Sequence, residues 1–194
     1  MSKMELRLAG SGGQGVILAT VILAEAAIQA GKYTAQSQSY GPEARGGSCK
    51  AETLISDDPI GFTKVQHPTF LMALTQKSLD QYTKGLPADC LVLMDDSLSA
   101  PEGLSEDKTI ALPILRTARE TVGRLQTANI VAVGCINELL HIVDLETMEK
   151  AVMMHIPKGT EALNRKALDE GEKLAAGLAA SAPKKKTAKK EAQA

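Results

Sequence analysis

The stretch Met4-Glu5-Leu6-Arg7-Leu8-Ala9-Gly10-Ser11-Gly12-Gly13-Gln14-Gly15-Val16-Ile17-Leu18 decides how the chain folds. From Met4 to Ala9 the residues alternate with the two-residue period of a strand. The chain then runs straight into a glycine-rich turn from Gly10 to Gly15. Val16 opens a long Ala/Val/Ile/Leu segment that ends at Gly31, a residue suited to the C-terminal cap of a helix. Glu25 and Gln29 sit four apart on one stripe of that helix, and nearly every other position is apolar. Its circumference must therefore be covered by a sheet and by something else besides.

Outward from this unit, Tyr33 to Tyr40 reads as a second strand, Gly41 to Gly47 breaks it, and Ser48 to Ser56 alternates as a third. Asp57-Asp58-Pro59 is a turn. A short strand is expected over Ile60 to Val65, and His67-Pro68 marks the next break. Thr69 to Lys77 and Ser78 to Lys84 have helical composition. Cys90 to Met94 is an apolar run typical of a parallel strand buried on both faces, and Thr109 to Leu112 repeats the pattern before Pro113. Helices are predicted over Leu115 to Leu125, Asn129 to Val143, Leu145 to Val152, and Thr160 to about Ala180. The class is α/β: a mostly parallel sheet flanked by helices, with an irregular three-strand stretch lacking intervening helices and a helical C-terminal part. One domain is expected over residues 1–180. Residues 181–194, rich in Lys and Ala, cannot bury a core and are expected to be a disordered tail.

Composition narrows the function. A chain of 194 residues with 44% hydrophobic content can bury one sizeable core. Its formal charge is −1, yet the segment from Pro183 onward holds five lysines and one glutamate; the remaining 17 basic and 22 acidic side chains leave −5. A body of that sign has no broad attraction for phosphate backbones, and 3% aromatic residues without tryptophan provide no stacking platform, so no nucleic acid is expected as a partner. The most apolar run, Val16 to Ile28, is about thirteen residues long against the roughly twenty that cross a bilayer, so no membrane is expected either. Cys49, Cys90 and Cys135 are widely spaced, and none has a His or Cys at ligand spacing. No metal site is expected in the chain, and thiols of this kind fit a reducing compartment. The N-terminus has no hydrophobic signal core, so the expected location is cytoplasmic.

Two constellations remain. Gly10, Gly12 and Gly15, with Gly13 and Gln14 between them, match a G-x-G-x-x-G turn between strand and helix, where free N–H groups face a positive helix end. Dinucleotide binding also expects an acidic residue about twenty positions on, where this chain has Ala35-Gln36-Ser37-Gln38-Ser39. A phosphate loop needs Gly-Lys-Ser/Thr, where this chain has Gly15-Val16-Ile17. The competing reading is a tight turn whose glycines permit close packing, or a docking surface for a partner chain. The second constellation is Ser39-Tyr40-Gly41-Pro42-Glu43-Ala44-Arg45-Gly46-Gly47. Its glycines and proline fix an unusual backbone path, and Arg45 offers a fork of donors for a partner or an anion; the alternative is a connection with solvated charges. No catalytic set stands out, because His67, His141 and His155 are scattered. Asp95-Asp96-Ser97 lies where α/β proteins place ligands and equally reads as a cap or turn.

In this order and spacing, the two constellations resemble the gamma subunits of 2-oxoacid:ferredoxin oxidoreductases. Ala51-Glu52, Ile55-Ser56 and the segment after His67-Pro68 continue the likeness, which covers roughly residues 4 to 180. The resemblance implies a subunit of an enzyme that oxidatively decarboxylates a 2-oxoacid with coenzyme A, giving an acyl-CoA, carbon dioxide and reduced ferredoxin. It implies thiamine diphosphate and Mg2+ between alpha and beta subunits, iron–sulfur clusters in beta or in a delta chain, and no cofactor in this chain. Independently of the resemblance, the loop Tyr40, Gly41, Pro42, Glu43, Arg45, Gly46 and Gly47 is expected to face a partner subunit or coenzyme A, because a path so rich in glycine is costly to hold unless contacts on both sides fix it. Tyr-Gly-Pro-Glu before Ala-Arg-Gly-Gly looks closest to the 2-oxoglutarate and branched-chain members, with 2-oxoglutarate the substrate preferred here. Pyruvate or branched-chain members of the family, and an autonomous nucleotide-binding dehydrogenase, are the alternatives.

Overall fold

The computed structural model describes residues 3–40 and 48–181. Six strands form one sheet in the order β2-β3-β1-β4-β5-β6: β1 Met4–Ser11, β2 Tyr33–Tyr40, β3 Ser48–Ser56, β4 Phe70–Ala73, β5 Leu91–Asp95 and β6 Thr109–Leu112. β1, β4, β5 and β6 pair in parallel, while β3 runs antiparallel between β1 and β2. The β1-turn-helix unit thus leads to β2, and the hairpin returns β3 into the gap between them. Among the described residues no helix lies between β2 and β4, while β5 and β6 are joined through a 3-10 turn over Glu106–Lys108.

Helix α1, Val16–Gln29, lies on one face of the sheet. α4 (Ala128–Leu140), α5 (Leu145–His155) and α6 (Glu161–Ser181) pack behind it. This second layer is what the nearly all-apolar surface of α1 requires. Leu6, Leu8, Phe70, Met72 and Leu93 point from the sheet into the shared core with Ile22, Leu23, Val131 and Val152. Each such fully buried side chain contributes about 1.5–3 kcal/mol. On the opposite face, α2 (Gln76–Tyr82) buries Leu79 against Leu71, Ala73, Val92 and Met94. Thr75 caps α2, its Oγ1 accepting the Ser78 N–H. α4 and α6 cross so closely that a Cβ on Gly134 or on Gly171 would lie under 3.0 Å from the other helix's backbone, at Leu168 O and Val131 O respectively. The Cys135 thiol donates to the Gly171 carbonyl at 3.2 Å across this contact.

Several expectations are corrected. Residues 70–73 form a strand rather than part of a helix over Thr69 to Lys77, and all four are buried. Placed between β1 and β5, Phe-Leu-Met-Ala is covered on both faces and shows no alternation. Ile60 to Val65 forms no strand; it belongs to a loop whose end is tied down where the Glu5 carboxylate accepts the N–H groups of Gln66 and His67. The helix expected over Leu115 to Leu125 is a short turn α3, Ile114–Arg116, that widens into a π-helical stretch over Thr117–Val122 and turns away at Gly123. A 3-10 turn, Leu125–Thr127, then leads into α4. The tail from residue 182 on lies outside the described residues, so the expectation about it does too.

Candidate functional site

The register of the sheet brings the glycine turn and Ser39-Tyr40, the described start of the second constellation, to one end of it. Gly10 is opposite Cys49, and Cys49 is opposite Tyr40. At strand spacings near 4.8 Å, Tyr40 therefore lies about 10 Å from Gly10. Gly41, Pro42, Glu43, Arg45, Gly46 and Gly47 lie outside the described residues, bracketed by Tyr40 and Ser48. The Ser48 hydroxyl at this rim is buried and has no hydrogen-bond partner among the described residues.

The interior of the glycine turn is filled by the chain itself. The Gln14 side chain folds back so that its Oε1 accepts the Ser11 N–H at 2.7 Å, while its Nε2 donates to the Leu74 carbonyl just after β4 at 3.4 Å. The Ser78 hydroxyl, from α2, donates to the Gly10 carbonyl at 3.1 Å. A Cβ on Gly10 would stand 2.5 Å from Gln14 Oε1, so glycine here makes room for that amide. A Cβ on Gly15 would stand 2.6 Å from Nδ2 of Asn129, a buried residue of α4 whose amide donates to the Gly15 carbonyl at 3.4 Å. Gly12 and Gly13 lie on the exposed outer rim. Gly13 has φ +98 with nothing within 4 Å of a Cβ position, so it is glycine for its backbone angle and not for lack of space. Over Gly13 and Gln14 opens a hollow of about 190 Å³, flanked by Arg119, Gln126 and Leu125. Asn129 and Arg119 carry no signal in the sequence, because they reach the turn from more than a hundred residues away.

Asp95 is used structurally. It is buried, and its carboxylate accepts the N–H of Ser97 at 3.1 Å, the Ser97 hydroxyl, and the Leu115 N–H at 2.7 Å, which ties the end of β5 to α3. Glu5 is likewise occupied, accepting the N–H groups of Gln66 at 2.7 Å and His67 at 2.9 Å. Burial alone would raise the Glu5 carboxyl, but hydrogen bonds from Lys3 and these two amides bring it below the ordinary carboxylate value. On the α2 face, Glu52 pairs with Arg7 at 2.8 Å and Lys50 at 3.0 Å, which outweigh the effect of burial and lower its carboxyl as well.

His67 lies in the loop before β4, His141 ends α4, and His155 lies in α5; no two are brought together into a set. The three cysteines are free and buried, and burial pushes the thiols of Cys90 and Cys135 up to about 11 and about 12. Such thiols are protonated near neutral pH and poor nucleophiles or ligands. Among the described residues no group of three or more His, Cys, Asp or Glu could hold a metal ion. No described helix is long and apolar enough to cross a membrane.

Residues 5–174 match the family model described as pyruvate ferredoxin/flavodoxin oxidoreductase. The 2-oxoglutarate synthase subunit KorC of Methanocaldococcus jannaschii is 44% identical over 91% of this chain and 96% of its own. The keto/oxoacid ferredoxin oxidoreductase gamma subunit of Geobacter sulfurreducens superposes with a TM-score of 0.79 at 44% identity, over 90% of this chain and 99% of that one. The ketoisovalerate oxidoreductase subunit VorA of Methanothermobacter thermautotrophicus is 34% identical over 77% of this chain but only 31% of its own length. A family match over most of the chain, together with full-length similarity to gamma-type chains, shows that this protein belongs to the pyruvate ferredoxin/flavodoxin oxidoreductase family, as a gamma subunit of its multi-subunit enzymes.

Proposed function

We propose that the chain is the gamma subunit of a cytoplasmic 2-oxoglutarate:ferredoxin oxidoreductase. That complex converts 2-oxoglutarate and coenzyme A to succinyl-CoA and carbon dioxide and passes two electrons to ferredoxin. The observation that carries the substrate is the 44% identity to a 2-oxoglutarate synthase subunit along nearly the whole of both chains, against 34% to the ketoisovalerate chain. In this reading thiamine diphosphate, Mg2+ and the iron–sulfur clusters belong to the alpha, beta or delta chains, and the gamma chain helps to build the assembly. The way Gln14 and Asn129 fill the glycine turn supports a packing role for Gly10 and Gly15 over a dinucleotide site.

Within the same reading, the loop from Tyr40 to Gly47 docks against the alpha or beta chain near the path of coenzyme A. The support is the register, which sets Tyr40 and Ser48, the residues on either side of the loop in the sequence, at the same sheet end as the glycine turn, and the chemistry of Arg45, whose planar fork suits a carboxylate or phosphate. The test is ferredoxin reduction by the chain reconstituted with its alpha and beta subunits, offered 2-oxoglutarate, pyruvate and a branched-chain 2-oxoacid in turn. The proposal expects 2-oxoglutarate to be used best; pyruvate or the branched-chain acid used best would overturn the substrate. In the same assay Arg45→Ala should weaken coenzyme A use or assembly by about 1.5–3 kcal/mol if it makes a desolvated charged hydrogen bond, with little rescue by Arg45→Lys. Wild-type behaviour of both variants would return Arg45 to a surface charge.

A further inference from the structure

The two edges of the sheet are treated differently, and we propose that the β2 edge pairs with an extended segment of a partner subunit, which adds a strand to the sheet. The inference rests on the reading of the chain as a gamma subunit. β6 is a short edge of four residues, entered from the 3-10 turn with Asp107 and Lys108 and closed by Pro113. Charges, prolines and short length are the usual protections of an open edge. β2 has none of them. Its eight residues pair one to one with β3 from Tyr33↔Ser56 to Tyr40↔Cys49, without a bulge, a proline or a charged side chain. No strand lies beyond it among the described residues. In such a strand every second residue turns its N–H and C=O outward, which makes a regular template for another strand.

The strand is also held in place. Gln36 Nε2 donates to Thr20 Oγ1 of α1 at 3.2 Å, and the Ser37 hydroxyl donates to Glu52 at 3.4 Å. Pairing therefore costs little further ordering on this side of the contact. The occupant is a partner subunit for three reasons. β2 contains no Val, Ile or Leu with which two copies could build an apolar seam. In the VorA relative the matching unit is under a third of the chain, so most of the polypeptide around it belongs to the rest of the enzyme. β2 also runs directly into the loop assigned above to the subunit contact.

Hydrogen exchange of the chain alone and of the reconstituted complex tests this. In the complex, amide exchange across residues 33–40 should slow by about tenfold or more, while the chain alone should exchange at the same rate at low and high concentration. A complex that assembles with unchanged exchange in this strand overturns the inference and leaves the subunit assignment standing. Protection that appears in the concentrated chain alone also overturns it, in favour of a second copy. Failure to form any complex brings down the assignment and the inference with it. Ser37→Pro and Gln38→Pro supply an independent arm, because neighbouring residues point their N–H groups to opposite sides. The variant that loses an inward N–H should melt lower. The other should melt within a few degrees of wild type yet bind its partners at least tenfold more weakly, and wild-type binding by that variant contradicts the proposal.

Discussion

At Gly10 and at Gly15 the volume a Cβ would need is held by side chains, those of Gln14 and Asn129; where α4 crosses α6 it is held by the backbone of Val131 and Leu168. A side chain can swing to another rotamer at modest cost, but a carbonyl fixed in a helix cannot leave without moving the helix. The glycine turn that looks like a ligand motif is therefore the more forgiving of the two regions. The helix crossing, which resembles no motif, is the stricter.

The comparison breaks if Gly171→Ala is tolerated. Alanine should gain up to about 1 kcal/mol of helix propensity. Its contact with the Val131 carbonyl should nevertheless leave a net loss of about 3 kcal/mol, lowering the melting temperature by roughly 6–12 °C. Gly10→Ala should cost less, about 2 kcal/mol, because Gln14 can yield by giving up its bond to Ser11. In a Gln14→Ala background the same substitution should cost measurably less than in the wild type, so that the double variant loses less than the sum of the two single changes. Gly13→Ala meets no atom and should lose only about 1 kcal/mol for its left-handed backbone. Thermal or urea unfolding of these variants checks the order, and a Gly13 loss as large as that of Gly171 would contradict it. Removing residues 183–194 should change stability by less than about 0.5 kcal/mol and leave assembly intact, as size-exclusion chromatography of the truncated complex would report.

What the sequence revealed follows the same division between local and distant causes. β2, β3, α1, α5 and α6 were legible because period, caps and breakers act within a few residues of where they are read. Residues 70–73 were misread as helix because Leu, Met and Ala favour helices and a strand buried on both faces does not alternate. Thr75 at the cap of α2 was the local mark of where the helix begins. The turn's Gly-rich pattern was visible, but what fills it was only half so. Gln14 lies within the motif, whereas Asn129 and the Gly134–Gly171 crossing depend on how α4 is placed by the rest of the fold. Asp95-Asp96-Ser97 reads in the sequence equally as a ligand position and as a cap or turn; in the fold the Asp95 carboxylate accepts the N–H groups of Ser97 and Leu115, contacts that no local pattern announces.

Ferredoxin reduction with 2-oxoglutarate and coenzyme A, measured for the chain alone, for the alpha and beta subunits without it, and for the three together, tests the assignment most directly. The account predicts no turnover by the chain alone and full turnover only when it is combined with its partners. Ferredoxin reduction by the isolated chain, or equal activity of alpha and beta without it, would contradict its place as a working gamma subunit.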